Sequence, residues 1–130
     1  MLTRLFDGAT WQVTRGVAYT QHRHDVLVEN LANVETAGYK SRDLVFEDHL
    51  QPLLGRVTAD LSPELPAAGL DERRARFVYA DDGPAKPNGN DVHPDRQMAR
   101  LAENTLFHHA LVQILIGRFA SLKQAISGRL

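Results

Sequence analysis

The feature that most constrains this chain is the position of its prolines. All six prolines lie between residues 52 and 94, together with four of the nine glycines. Proline lacks a backbone N–H donor and clashes inside a helix, so we expect residues 37–93 to be a loop- and turn-rich middle. Within it only Arg76–Tyr79 has the residues of a short strand. The two proline-free flanks are left to form long helices.

The C-terminal flank carries a helical hydrophobic pattern. Pro94 stands where a first helical turn would begin and Gly128 where a helix would end, so we predict a helix over residues 94–127. Nine positions in it are spaced by alternating steps of 3 and 4, and seven of them are apolar. This spacing is typical of a coiled-coil seam. The positions are Met98, Leu101, Thr105, His108, Val112, Leu115, Phe119, Leu122 and Ile126.

The N-terminal flank repeats the pattern more weakly. Six of its nine seam positions are apolar, and we predict a helix over residues 3–36. Gly8 and Gly16 each weaken a helix interior by about 1 kcal/mol relative to alanine. The helix should stop near Asn33 to Gly38, because Asn and Gly tolerate the left-handed exit conformation. The seam positions are Phe6, Thr10, Val13, Val17, Thr20, His24, Leu27, Leu31 and Val34.

These patterns predict a mainly α chain with one domain, in which two long terminal helices form an antiparallel, coiled-coil-like hairpin. The C-terminal helix is apolar on more than one face, whereas one partner helix covers only one face. We therefore expect other subunits to cover the remainder, since an exposed apolar surface promotes aggregation. The alternative, a self-contained helical bundle, lacks a third and fourth helix. The candidate assembly residues on this helix are Leu111, Ile114, Ile116 and Phe119.

Composition narrows the classes of partner. The formal net charge is −1, which gives no electrostatic reason to expect nucleic acid or an anionic membrane. The chain has no cysteine, so it has no disulfide framework. The first 16 residues contain no apolar run of the kind found in signal peptides, and no stretch is long enough to span a bilayer. We expect neither a cleaved signal nor membrane insertion.

Three stretches resemble a known family. Residues 28–40 read VENLANVETAGYK, residues 41–50 read SRDLVFEDHL, and residues 88–98 read NGNDVHPDRQM. Together they resemble flagellar rod and hook proteins, and among these the short proximal-rod subunits. The family often has Pro where Ala37 stands and Glu where Gln97 stands. The matching positions of the first motif are Asn30, Ala32, Asn33, Thr36, Gly38, Tyr39 and Lys40.

Two roles are open to the motif's asparagines. Asn30 and Asn33 are one turn apart, so their amides lie on one side of the helix end. They can satisfy the orphan carbonyls of that end or bond to a neighbouring subunit. We favour a lateral contact for Asn30 and leave both roles open for Asn33. Ala32 would keep the helix thin where another helix packs, and the four residues Thr36, Gly38, Tyr39 and Lys40 form the family turn.

The resemblance implies a structural subunit of the flagellar basal body, not an enzyme, with no cofactor and no metal. It implies that the subunit lies in the periplasmic rod, leaves the cytoplasm through the flagellar type III export gate and assembles through its terminal helices. Its partners would be copies of itself and other rod proteins. Its role would be to help transmit motor torque to the hook, and so to support motility.

Six histidines raise the question of a metal or catalytic centre. On a helix, His22 and His24 point about 200° apart, and His108 and His109 diverge by about 100°. No His-x-x-x-His pair is present, so we expect no such centre. If the two helices have matched ends, His24 faces His108 and could fix their register as a polar layer. Packing or solvent contact of each ring is the alternative.

Two other readings remain open. The chain could be another flagellar rod subunit of similar size, although the Arg42-Asp43 continuation of the motif favours the proximal rod. A cytoplasmic coiled-coil adaptor is the second, but such a protein has no need of the Asn30 to Lys40 turn.

Overall fold

In the computed structural model, which describes residues 8–45, 76–80 and 82–128, two long helices dominate. The elements follow in the order α1 (Gly8–Ala32), β1 (Arg42–Val45), β2 (Arg76–Tyr79) and α2 (Pro94–Ser127). Hydrogen bonds join Thr20 to His108 near the middle and Asn30 to Gln97 near one end, so the helices run antiparallel. The predicted fold class, a mainly α hairpin with a short β element, is confirmed.

The helix ends show why the chain turns where it does. α1 ends at Ala32, and residues 33–38 form turns that finish at Gly38 with φ of 71°. The predicted range 3–36 was therefore four residues too long at this end, and residues 3–7 lie outside the described residues. α2 begins with Pro94 in its first turn and ends at Gly128, whose φ of 62° is left-handed. Glycine adopts this conformation without steric cost, which ends the helix.

The predicted register of the two helices is wrong by one helical turn. His108 bonds through Nδ1 to the Thr20 hydroxyl at 2.7 Å, whereas we had placed His24 opposite it. The side-chain amide of Asn104 donates to the Thr20 carbonyl at 2.8 Å, and Leu111 packs on Gly16. A shift of one turn leaves the 3-and-4 spacing unchanged, so periodicity could not select the register. Specific polar contacts select it.

The seam of α2 also differs from the prediction. Gln97 and Asn104, which the prediction left out, are the buried residues of α2, whereas the predicted seam positions Met98, Phe119 and Ile126 are exposed. Met98 is 56% exposed. The amides can turn inward because each finds a hydrogen-bond partner across the hairpin, which offsets part of the cost of burying them. The buried or half-buried positions of α2 are Gln97, Arg100, Leu101, Asn104, Thr105, His108, Leu111, Val112, Leu115, Arg118 and Leu122.

A two-stranded antiparallel sheet lies against α1. β1 pairs with β2 so that Arg42 is opposite Tyr79 and Val45 opposite Arg76. The Tyr19 hydroxyl of α1 donates to the Leu44 carbonyl, which ties the sheet to the helix. The strand predicted at Arg76–Tyr79 is confirmed, whereas β1 was not predicted because its four residues include two charges.

The interior of the described chain is unusually polar. Its fully or nearly fully buried apolar side chains are Tyr19, Val26, Leu27, Leu44 and Val92. Its buried polar residues are more numerous: Thr10, Thr20, Asn30, Ser41, Asp82, Asn90, Gln97 and Asn104. Directional hydrogen bonds therefore hold much of this fold in place, whereas an apolar core would be less specific about geometry.

Candidate functional site

Asn30 is the centre of a hydrogen-bond network that we call the clasp (Asn30, Arg42, Asp82, Gln97 and Arg100). The Asn30 side chain is completely buried. Its Nδ2 donates to the Arg42 carbonyl at 2.6 Å and to Gln97 Oε1 at 3.1 Å. Its Oδ1 accepts from the Arg42 N–H at 3.0 Å. One amide thus joins the end of α1 to the start of β1 and to the first turn of α2.

The clasp continues from Gln97 to a buried ion pair. Gln97 Nε2 donates to Asp82 Oδ2, and Arg100 Nη1 lies 2.7 Å from Asp82 Oδ1. The Asp82 side chain is inaccessible to solvent, while that of Arg100 is one-quarter exposed. A buried carboxylate needs such partners, because removing one partner leaves an uncompensated charge. The segment before α2 is therefore fixed to the helix that follows it.

The family turn docks on the segment that precedes α2. The Gly38 N–H donates to the Asn88 carbonyl at 3.0 Å, and a β-carbon added at Gly89 would lie 3.5 Å from the Cα of Gly38. Asn90 is buried, and its Nδ2 donates to the carbonyls of Asn33 and Thr36 at 2.9 and 2.7 Å. Two of the three resembling stretches, residues 28–40 and 88–98, therefore bind each other.

The other two residues of the family turn extend this contact. The Tyr39 hydroxyl donates to Asn30 Oδ1 at 3.3 Å, and the Tyr39 carbonyl accepts from the Asp91 N–H. Lys40 Nζ lies 3.6 Å from the Asp91 carboxylate, and its side chain is half-exposed. Thr36 donates from its hydroxyl to Asn33 Oδ1 at the surface. The turn is thus held from both sides, by α1 and by the segment before α2.

Two of the predicted assembly residues, Asn30 and Leu111, make contacts within the subunit. Asn30 has no exposed surface, because its amide is needed to pair the backbone of Arg42. Leu111 is half-buried against Gly16 of α1, because the seam of α2 is rotated from the predicted one. Asn33 caps its own helix end by donating to the Glu29 carbonyl at 2.8 Å, and Ala32 is exposed beside it.

Three predicted assembly residues do lie at the surface. Ile114, Ile116 and Phe119 are each about half-exposed. The structure adds Leu106, at 72%, and Phe107, at 48%, which the prediction missed. Their side chains lie on faces of α2 that α1 does not cover.

An ion pair joins α1 to β1. Arg23 Nε and Nη2 donate to the two carboxylate oxygens of Asp43, each at 2.8 Å. Burial alone would raise the pKa of Asp43, but the hydrogen bonds and charge of Arg23 outweigh it, so that this pKa is lowered. The bond to Asp43 correspondingly raises the pKa of Arg23. Burial raises the pKa of the neighbouring Tyr19 hydroxyl, although the charge of Arg23 partly opposes it.

A cleft of about 210 Å³ lies between the two helices. Thr20, His24, Asn104 and His108 border it, so the two histidines share a cleft although they are not opposite each other. Asn104 Oδ1 is buried there with no hydrogen-bond partner among the described residues. Within residues 8–45, 76–80 and 82–128, no group of three or more His, Cys, Asp or Glu is placed to hold a metal ion.

Neither described helix combines the length and the apolar character that crossing a membrane requires. The sequence of the chain is similar to those of known proteins. No protein-family model matches the chain. It is 32% identical over 107 residues to the flagellar basal body rod protein FlgB of Cereibacter sphaeroides, covering 82% of this chain and 84% of that protein.

Two more distant relatives carry the same name. The FlgB of Bacillus subtilis strain 168 is 27% identical over 126 residues, which cover 95% of this chain and 97% of that protein. The FlgB of Aquifex aeolicus is 27% identical over 113 residues, covering 87% and 88%. The similarity therefore runs through both helices and the clasp between them, and the chain belongs to the family of the flagellar basal body rod protein FlgB.

Proposed function

We propose that the chain is a structural subunit of the proximal rod of the bacterial flagellar basal body. In this role it assembles through its terminal helices, helps to transmit motor torque to the hook and is needed for motility. It catalyses no reaction and holds no cofactor. The observation that carries the proposal is the clasp, because residues 28–40 and 88–98, two of the three stretches that resemble the rod family, bind each other there.

The clasp suits a part that carries load. A rod subunit must pass force between its two terminal helices without letting them slide. Asn30 and Gln97 join those helices near one end, and Thr20 and His108 join them near the middle. Hydrogen bonds of this kind are directional, so sliding by one turn would break both junctions together. The register is thereby fixed in a way that apolar contacts alone would not achieve.

Assembly accounts for the surface of α2. Ile114, Ile116 and Phe119 remain about half-exposed in the isolated chain, and so do Met98 and Phe107. Apolar area of this kind stabilises a protein by about 25 cal/mol per Å² when it is removed from water. Copies of the chain and other rod proteins would cover it in the rod. The hairpin would complete its folding on incorporation, after export without a cleaved signal.

Deletion of the gene followed by electron microscopy of isolated basal bodies tests the proposal. We expect basal bodies without a complete rod, cells that do not swim, and recovery of both when the full chain is supplied from a plasmid. Normal rods in the deletion strain would end the proposal. They would favour a cytoplasmic coiled-coil adaptor, whereas loss of a different rod segment would indicate another rod subunit of similar size.

A further inference from the structure

A second regular stripe of residues runs along α2 beside the seam that contacts α1. Its five positions are spaced by alternating steps of 3 and 4, which is the spacing of a helix-packing seam. All five are exposed. Large and small side chains alternate over its first four positions, as in a surface that receives the side chains of another helix. The outer stripe of α2 comprises Phe107, Ala110, Ile114, Gly117 and Ser121.

Contacts within the isolated chain do not explain why the stripe has a glycine at position 117. It lies ten residues before the end of α2, where glycine costs about 1 kcal/mol relative to alanine. Among the described residues, no atom outside the helix lies within 4 Å of where its β-carbon would stand. Gly16 differs, because Leu111 occupies that space. The notch at Gly117 therefore leaves room for something beyond this chain.

α1 has an outward stripe of its own, on the face turned away from α2. Its C-terminal half is acidic, with Asp25 and Glu29 exposed, and its N-terminal half carries small residues and one large aromatic. Glu29 also pairs with Arg42 at the surface. The outer stripe of α1 comprises Trp11, Thr14, Ala18, His22, Asp25, Glu29 and Ala32.

We propose that the outer stripe of α2 in one copy packs against the outer stripe of α1 in a second copy, with the two helices antiparallel. Complementary charges on the two stripes favour this pairing. When Ala18 is placed opposite Phe107, Glu29 of one copy comes opposite the exposed Arg96 of the other. In the same register His22 comes opposite Glu103. Complementary charge across an interface favours one register over its neighbours.

The sizes of the facing side chains also fit this register. Small Ala18 meets large Phe107, and small Ala110 comes beside Thr14. Trp11 comes opposite Ile114, next to the notch at Gly117, which gives its indole room to lie close to the helix backbone. The glycine that costs stability in the isolated chain is then explained by the packing of a neighbour.

The contact joins two different surfaces, so it is heterologous. A heterologous contact leaves one free surface at each end and continues into a ring or an open helical array. Because α1 and α2 are antiparallel within each copy, an antiparallel contact between copies keeps all of them pointing the same way. A polar, extendable row of subunits follows, and this inference rests on the proposed role in the rod.

Single cysteines test the contact, because the chain has none of its own. Two full-length versions with different epitope tags, one Thr14→Cys and the other Ala110→Cys, replace the chromosomal copy together. Basal bodies are isolated and treated with a short bismaleimide. Since each chain carries one cysteine, every cross-link joins two molecules. The matched control replaces Ala110→Cys with His109→Cys, which is the adjacent exposed residue and points about 100° away.

We expect a dimer that carries both tags from Thr14→Cys with Ala110→Cys, at least fivefold more abundant than from the His109→Cys control. Rods that contain both versions but give no such dimer would overturn the inference and leave the proposed function standing. So would cross-links only to a protein of another mass. If the tagged chains are absent from rods, the proposed function fails first and the inference fails with it.

Discussion

Asn30 and Asn33 belong to one motif, yet the structure predicts very different effects when each is replaced by alanine. Asn30→Ala removes three bonds of 3.1 Å or less, two to the backbone of Arg42 and one to Gln97, besides a longer one from the Tyr39 hydroxyl, all with a fully buried side chain. Each such bond contributes about 1 kcal/mol, so we expect a loss of about 3 kcal/mol. In thermal unfolding followed by circular dichroism, that loss lowers Tm by about 10 °C for a chain of this size.

Asn33→Ala is the matched control. Asn33 donates to the carbonyl of Glu29 and accepts from the Thr36 hydroxyl, and both bonds are exposed to water that can replace them. We expect a loss below about 1 kcal/mol. Equal losses for the two variants, or a loss near zero for Asn30→Ala, would refute the assignment of Asn30 to the clasp. A large loss of stability for Asn33→Ala alone would instead indicate that the critical contact lies in the turn.

Three further predictions concern single residues. Gly117→Ala should stabilise the isolated chain by about 1 kcal/mol in urea unfolding while reducing its incorporation into rods; a loss of stability would contradict the open notch. Asp43→Asn should destabilise the chain at pH 7. Because the folded-state pKa of Asp43 is lowered, its ion pair with Arg23 contributes fully above its unfolded pKa of about 3.9 and is lost as the pH falls below that value. The stability difference should therefore be constant from about pH 5 to 8 and shrink in acid, and a difference that grew in acid would contradict the sign. Gln97→Glu should cost about 2 kcal/mol at pH 7, because it replaces the amide that donates to Asp82 with a carboxylate, and urea midpoints that match the wild type would contradict that contact.

The sequence was informative about the elements and uninformative about how they meet. Proline position and hydrophobic spacing predicted two long helices with a β element at Arg76–Tyr79, because these are local properties. The register failed because a shift of one turn preserves the same spacing, and the choice depends on the bond between Thr20 and His108. The seam was misplaced because an amide such as Gln97 can be buried when a distant partner exists, which periodicity does not reveal.

For the candidate site, too, the sequence predicted single residues but not the contacts between them. Resemblance identified the turn residues Gly38 and Tyr39, but it did not show that they dock on the segment before α2. The sequence favoured a lateral contact with a neighbouring subunit for Asn30, but its amide pairs the backbone of Arg42 within the same chain. No sequence pattern pointed to Asp82, because it stands in the irregular segment before α2 and outside any helical periodicity.

A density map of rods isolated from the native bacterium tests the central claim most directly. We expect the chain in the proximal rod, with α1 and α2 antiparallel, Thr20 beside His108 and Asn30 beside Gln97, so that both the register and the clasp of the isolated chain persist under assembly. Rods that lack the chain would contradict its role. Rods in which the two helices separate, each packing only on other subunits, would contradict the claim that the clasp carries load between them.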